Sequence, residues 1–538
     1  MLFIIISSII YAIVSCGYGK LLDQYLNKHQ LLSIRFINGI FLIGILALIF
    51  AIFIPLNIYF EISLIVLGLI LFAVQNCWEI SFKFSIQFFL LFLTILFVGS
   101  MNAFLFDTYS YYLPTIKWLD QYGLVKGIAN YDFNLGQHSL WHIIQAAFND
   151  SIDWYYKINT FLIIVFLLYV WEIKRYILLI FLPVFFLFAA SPSPDLVVFV
   201  LSIIMLSEWI SHKEDSLKLN LIYSAFLILV KPIAFVLPVY FFYKSIKKWK
   251  SYKGIYAVVI IFSVLFIFKN IYLTANFLFP LKFGNLSSFI HAIPESIYEI
   301  SATDGRLVTL KHVDGLDLDW FKNLSLKDYY LFLLNHLHYT IILFLLFTLI
   351  TFVFFMVQFF NQGKFKSLSV LLVIKVIIFS IITIQYRFLL DNVLLITVLL
   401  LWNSTLNFKI FSPFIILSGI FLVLFPNLNN NKINQMRLLQ PYTVSQIVTP
   451  VKAKVETTTV NFKEISYHVI LNYDFSLDVQ PLNLNKMLID RYIYQGFHAE
   501  LIDNTSIKSG FKPILNTDSD IKELSEIYFL INTSRKSK

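Results

Sequence analysis

Charge is scarce in this chain. Asp, Glu, Lys and Arg make up 14% of its 538 residues, against about 25% in ordinary soluble domains. Beside 59% hydrophobic residues, that deficit excludes a water-soluble enzyme, a coiled coil and an intrinsically disordered chain. Cysteine is nearly absent: Cys16 and Cys77 lie in or beside apolar runs, which excludes a disulfide framework. The sequence has no CxxC, no HExxH and no glycine-rich phosphate loop. Basic runs interleaved with aromatics are also missing. The excess of 41 Lys and Arg over 32 Asp and Glu, a net +9, therefore does not point to nucleic acid. In a membrane protein it reflects positive cytoplasmic loops. No basic region precedes the apolar stretch that starts at Leu2, which is read as a retained span and not a signal peptide.

What is abundant is greasy. The chain carries 57 Phe, 30 Tyr and 9 Trp, more apolar surface than a soluble core hides but not more than a bilayer accepts. The expected fold is an all-α polytopic membrane protein with about fourteen transmembrane helices of about 20 apolar residues or fewer. The apolar stretches are 2–16, 36–56, 62–76, 86–106, 160–171, 176–190, 196–210, 219–230, 233–243, 255–273, 339–360, 368–384, 388–402 and 410–425. Lys231-Pro232 splits the eighth from the ninth. The predicted division is an N-terminal group of spans (1–85), a membrane core (86–426) with polar outer loops at 107–157 and 275–335, and a C-terminal extracytoplasmic domain (427–538). Strand-like runs at 467–472 and 527–531 and a helix-like run at 485–494 suit a small α/β unit; a partly disordered tail is the alternative.

Basic residues set the orientation. Lys20, Lys28 and Arg35, then Lys174 and Arg175, Lys213 and Lys218, the Lys244–Lys253 cluster, and Lys364 and Lys366 all fall on one side if the spans alternate. The short loops opposite, 57–61 and 191–195, carry none. Both termini and both long polar segments are thus expected outside a bacterial inner membrane.

The polar stretch after residue 106 is the most informative. Asp107 follows Phe104-Leu105-Phe106, so its carboxylate is expected at the water boundary, where a base or metal ligand can be tuned. Tyr111, Tyr112 and Pro114 follow. An amphipathic run over 115–122 and another helix opening near 135–141 are expected at the membrane interface. Asp195 ends the second outer loop and competes with a role as helix N-cap. Lys231, Lys269 and Arg387 are boundary or intramembrane cations, and such charges are functional candidates by default. His138 and His142 have the spacing of metal ligands, but interfacial anchoring is the simpler reading. Asp304, Asp314, Asp317 and Asp319 read as a solvated acidic loop.

Asp107-Thr108-x-x-Tyr111-Tyr112-x-Pro114, with Ile116-Lys117-Trp118, Tyr122-Gly123 and Leu135-Gly136, resembles the first outer loop of the glycosyltransferase C superfamily. More narrowly, it resembles a bacterial membrane family with a D-T-x-x-Y-H…I-K-W signature, which has His where this chain has Tyr112. Lys269-Asn270 through Asn276, with Phe279-Pro280, is similar to an R-N-x-x-x-T-G-N element. Gln385-Tyr386-Arg387-Phe388-Leu389-Leu390 is similar to a Y-R-F-L-L-P element, with Asp391 in place of Pro. The resemblance covers about 88–425. It implies a membrane glycosyltransferase that moves a sugar from a polyprenyl-phosphate donor to an envelope glycan or lipid acceptor at the outer face. Asp107 and Asp195 would then be catalytic carboxylates. Tyr111, Tyr112, Lys231, Lys269 and Arg387 would bind substrate. No cofactor is required, and a divalent metal ion stays open. The partners implied are the lipid-linked donor, the acceptor and membrane lipids, without nucleic acid.

Competing classes are an O-antigen or capsule polymerase or ligase, a transporter or flippase, and a non-catalytic scaffold. A polymerase would rely on outer-loop arginines, and the large outer loop holds only Arg306. A transporter would show repeats and charges at mid-membrane. The predicted orientation has a direct check: an outside-only thiol reagent is expected to label Ser525→Cys and not Ser251→Cys in intact cells, and the reverse pattern would invert the topology.

Overall fold

The computed structural model describes residues 1–26, 31–77, 84–310, 321, 323–428, 442–503 and 505–536. Lys28, Asp314, Asp317 and Asp319 lie outside the described residues. The chain is mostly helical, with a small strand region near the C-terminus.

Three helices open the chain: α1 (Leu2–Leu26), α2 (Leu32–Phe53) and α3 (Ile58–Val74), mutually packed. Small residues let α1 and α2 approach closely, since a Cβ on Gly39 would fall 1.8 Å from the Ser15 carbonyl oxygen. Next come α4 (Ile86–Gly99), the short α5 (Leu113–Tyr122), α6 (Ile128–Tyr131) and α7 (Leu140–Ala146), and then α8 (Ile158–Ile173). After α9 (Leu182–Phe186) the bundle continues through α10 (Pro194–His212), α11 (Leu217–Val230), α12 (Val236–Ser245) and α13 (Lys253–Thr274). Helices Tyr339–Phe360, Lys366–Ile382, Leu390–Leu401 and Phe408–Leu428 complete it.

Among the described residues, six stretches are long and apolar enough to cross a membrane. The α10–α11 stretch is the centre, with 83% of its most apolar window buried; the outer helices Tyr339–Phe360 and Phe408–Leu428 bury 22% of theirs. Large apolar side chains on those outer helices, such as Leu349 and Phe421, are exposed. Such faces suit lipid and not water. α11 has 14 residues, about 21 Å at 1.5 Å per residue, and is too short to span alone. It stops at Lys231 because Pro232 forbids the helical conformation for the residue before it.

Four local expectations change. The stretch 176–190 is a 3-10 turn (Tyr176–Phe181) followed by the five-residue α9, because Pro183 has no N–H to continue a helix. The stretch 86–106 is helical only to Gly99. Asp107 consequently sits in the first turn of the next helical segment, which runs through a π-helical turn, Thr108–Tyr112, into α5. α5 does not lie on a surface: Leu113, Ile116, Trp118 and Leu119 are all buried. The run 527–531 is helical, within Asp518–Lys536, where Leu524, Ile527 and Ile531 bury one helical face.

The C-terminal unit is folded, and it explains why α5 is buried. β1 (Thr457–Phe462) and β2 (Ile465–Ile470) form an antiparallel hairpin, with Val460 opposite Tyr467, and β3 (Asn483–Leu484) pairs parallel to β2. Helix Lys486–Gln495 leads to β4 (Phe497–Leu501), which pairs antiparallel with β5 (Phe511–Leu515). Helix Asp518–Lys536 packs on β1, β2 and the preceding helix.

This unit is fastened to the first outer loop. The Tyr131 hydroxyl donates to the Asn483 carbonyl, and the Tyr492 hydroxyl donates to the Tyr131 carbonyl at 2.8 Å. Arg491 pairs with Asp132 at 2.7 Å. The Lys508 ammonium donates to the carbonyls of Tyr122 (2.8 Å), Leu124 (2.7 Å) and Ala51 (3.3 Å). It thereby ties the turn that ends α5 to the end of α2, where the Ala51 carbonyl also accepts from the Leu124 N–H at 2.6 Å. Trp118 meets Phe511 edge-on at 5.8 Å.

Gly127 marks the tightest point of this seam. Its φ is +63°, and a Cβ there would fall 2.2 Å from the Phe511 carbonyl oxygen. Gly127→Ala is expected to destabilise the protein by more than about 1 kcal/mol, from backbone strain plus overlap. Gly305 sits in helix Glu295–Leu307 with open space around it. Gly305→Ala is therefore expected to be neutral or stabilising by up to about 1 kcal/mol. Thermal unfolding of both purified variants in detergent checks the contrast.

Candidate functional site

Charges drawn from far apart in the chain meet at one end of the bundle. Asp107 enters in the first helical turn after α4, where a carboxylate also suits the helix dipole. The turn is tied down by Thr108, whose hydroxyl lies 2.6 Å from that of Ser191. Asp195 enters in the first turn of α10. Ser193 supplies the cap, accepting from the Asp195 N–H at 3.3 Å, with Pro194 at the first position. The capping role expected as an alternative for Asp195 thus belongs to Ser193, and the Asp195 carboxylate is left for another partner. Lys231 enters at the break between α11 and α12, and Arg387 in a 3-10 turn, Tyr386–Leu389.

These side chains pair across the bundle. Arg387 Nη1 donates to Asp107 Oδ2, and its Nε donates to Gln385 Oε1 at 3.0 Å. Lys231 Nζ donates to Asp195 Oδ1. Phe388 holds the two cations beside one another: Lys231 Nζ lies 5.5 Å and the Arg387 guanidinium carbon 5.2 Å from its ring centroid. Arg387 and Lys375 both contribute to the electrostatic environment of Asp195, so the pairs form one charge centre. The third pair joins Lys375, in helix Lys366–Ile382, to both oxygens of Asp391 at 2.6 Å.

The three pairs form a gradient of access. Side-chain exposure is 40% and 20% for Arg387 and Asp107, 19% and 10% for Lys231 and Asp195, and 1% and 5% for Lys375 and Asp391. An incoming ligand therefore meets Asp107 and Arg387 first. Lys375 and Asp391 are a deep support.

Aromatic and imidazole groups line the inner wall. Tyr111 and Tyr112 meet edge-on at 4.5 Å, and Tyr112 packs against His142 at 4.7 Å. Burial, reinforced by the Asp107 charge, raises both phenols well above their usual range, so they stay neutral hydroxyls. His138 and His142 are fully buried, and do not lie at an interface as anchors. Burial, with the Lys269 charge adding to it, pushes His138 down to about 3. Burial, His138, Lys231 and Lys269 together push His142 well below the usual range. Among the described residues, neither ring nitrogen of His142 has a hydrogen-bond partner. Lys269 donates to the His138 carbonyl, and among the described residues no carboxylate pairs with it.

All the expected site residues are thus gathered: Asp107, Asp195, Lys231 and Arg387 in the paired centre, Tyr111 and Tyr112 beside Asp107, and Lys269 behind them through His138. Lys375 escaped sequence reasoning. A lysine inside the apolar stretch 368–384 was the available signal. Asp391 was visible only as a departure from a motif; its role as the Lys375 partner needs the fold. Among the described residues, no group of three or more His, Cys, Asp or Glu is placed to hold a metal ion.

The centre comprises three cation–carboxylate pairs, Arg387–Asp107, Lys231–Asp195 and Lys375–Asp391, with the amine of Lys269 buried behind them. An anionic ligand would compete for Arg387, the most exposed of the cations.

Residues 1–394 match the family described as a domain of unknown function (DUF8201), and the chain belongs to that family. All seven charged residues of the centre lie inside the match, and β1 to β5 lie outside it. No curated protein and no solved structure matches.

The deep pair has a testable asymmetry. Lys375→Met alone strands the Asp391 carboxylate and is expected to lower stability by about 3–5 kcal/mol. Lys375→Met combined with Asp391→Leu removes both charges and is expected to recover most of that loss. Unfolding temperatures of the single and double variants check the order.

Proposed function

We propose that this protein is an outward-facing membrane glycosyltransferase. It transfers a sugar from a polyprenyl-phosphate-linked donor to a cell-envelope glycan or lipid acceptor. The observation that carries the reading is the centre built by Asp107, Arg387, Asp195 and Lys231, which offers a carboxylate and cations side by side. The reading takes about fourteen crossings, with the two long polar segments and the C-terminal unit on the outer face. The helix ends support that orientation. α10 runs from Asp195 to His212 and Lys213, and α13 from Lys253 to Lys269 and Thr274. The basic turns and the charge centre are therefore at opposite ends of the same helices. α10 has 19 residues, about 28 Å at 1.5 Å per residue, close to the thickness of a hydrocarbon core.

The ion pairs suggest how the chemistry starts. Asp107 is paired with Arg387. A donor phosphate competes for the guanidinium, which matches phosphate oxygens in a fork. As Arg387 turns to the phosphate, Asp107 is released to act as a base. The acceptor hydroxyl oxygen attacks the anomeric carbon of the donor sugar. The bond from that carbon to the phosphate oxygen breaks, and the polyprenyl phosphate leaves with the electron pair. The hydroxyl proton passes to Asp107. Arg387 and Lys231 stabilise the charge on the departing phosphate, with Asp195 holding Lys231 in place. Tyr111 and Tyr112 stay neutral and donate hydrogen bonds or packing faces to the sugar. The Lys375–Asp391 pair supports the turn that carries Arg387 from behind.

Asp107→Asn keeps the size and much of the hydrogen bonding to Arg387, so membrane level is expected to stay near normal. Transfer is expected to fall by about 10²–10⁴-fold, the usual contribution of a general base. Lipid-linked glycan profiling of a deletion strain carrying the variant measures it. Normal expression with near-normal transfer would remove Asp107 from the mechanism.

A further inference from the structure

A recess lies between the first outer loop and the C-terminal unit, next to the turn that carries Asp107. Thr108, Tyr109, Tyr155, Tyr156, Lys452 and Asp478 line it. Thr108 is adjacent to Asp107, and its hydroxyl bond to Ser191 forms part of the wall between recess and centre. The far wall comes from the C-terminal unit, held in place where the Leu477 N–H donates to the Tyr109 carbonyl at 2.9 Å.

We propose that this cleft is the subsite for a neutral saccharide acceptor; the assignment rests on the transferase reading above. Half-buried Tyr155 offers a flat aromatic face with a polar rim, the combination that takes the C–H face of a pyranose ring while serving its hydroxyls; buried Tyr156 backs it, with its hydroxyl on Asp478. Lys452 lies over the two rings, its Nζ 5.8 Å and 5.3 Å from their centroids. Its side chain is 42% exposed, so it is the member free to swing off the rings and donate to a sugar's hydroxyls. Asp478 accepts from the Tyr156 hydroxyl and from Lys452 at 2.6 Å, and lies 3.7 Å from Lys117. A carboxylate has acceptor sites beyond these for sugar hydroxyls.

Charge decides the class. The Lys452 ammonium is balanced by Asp478. The other cation lining the cleft, Lys157, donates to the carbonyls of Met101 (2.9 Å) and Ala190 (3.2 Å) and has the Asp153 carboxylate beside it. Each cation of the cleft is therefore matched by a carboxylate, and none is left over for a phosphate. Its lining residues lie in turns, helices and loops and not on a strand edge, so an extended peptide finds no backbone to pair with. A neutral polyol fits both conditions. An acceptor seated here would approach Asp107 from the Thr108 side.

The test is binding, which needs no turnover. The purified full chain in detergent is applied to a printed array of neutral bacterial envelope oligosaccharides, with a tetraalanine peptide as comparison. The wild type is expected to bind array members and not the peptide. Tyr155→Ala is expected to weaken binding about tenfold, Tyr155→Phe to retain it, and Lys452→Met to weaken it without touching the core. Gly305→Ala lies outside the cleft and is expected to bind as the wild type does. Absence of oligosaccharide binding, equal binding of the peptide, or binding untouched by both Tyr155→Ala and Lys452→Met would overturn the assignment. Because Tyr155 packs edge-on against Phe3 at 4.9 Å, Lys452→Met decides if Tyr155→Ala fails to fold. Oligosaccharide binding that follows these residues, with transfer unaffected by Asp107→Asn, would keep the cleft and reject the catalytic reading.

Discussion

The interaction on which the arrangement turns is the ion pair between Asp107 and Arg387, residues 280 positions apart. In a chain with so few charges, a carboxylate and a guanidinium at the edge of an apolar bundle are expensive unless they find each other. Their pairing fixes the first outer loop against the turn that precedes helix Leu390–Leu401. Phe388, the next residue after Arg387, then carries Lys231 to the same place, and Lys231 brings Asp195. The fully buried Lys375–Asp391 pair anchors the same turn from inside the bundle. One local meeting of opposite charges thereby organises helices from both halves of the chain.

A second constraint works from outside. The C-terminal unit covers α5 and α6 while α7 packs against the bundle, which turns what amphipathic patterning reads as surface helices into a packed middle layer. It does so with polar fasteners at defined points: Lys508 on three carbonyls, Tyr131 and Tyr492 with backbone acceptors, and Arg491 on Asp132. Hydrogen bonds of this kind fix register more than they add stability. Their effect is to hold the loop that carries Asp107, Tyr111 and Tyr112 between two rigid bodies. A residue meant to meet a phosphate needs that support, since a small displacement of a positioned group is costly in rate.

Sequence and structure divided the information unevenly. Apolar run length and the placement of basic loops made the helical, membrane-compatible character legible, along with most helix positions, because both follow from local composition. Lys231-Pro232 announced a helix break by itself, since proline restricts the residue before it. Asp107, Asp195, Lys231 and Arg387 stood out because a charge in an apolar context is conspicuous without any fold. Other features depended on distant residues and were not legible. Who pairs with whom, the burial of His138 and His142, the depth of Lys375, and the covering of α5 all require contacts across hundreds of residues. The run at 527–531 has the composition of a strand, yet it is helical because Leu524, Ile527 and Ile531 meet the sheet from one helical face. Local composition determined what kind of chain this is and which residues were unusual. Only the tertiary structure decided their partners, because electrostatic and packing energies act over a few ångströms of space and not along the chain.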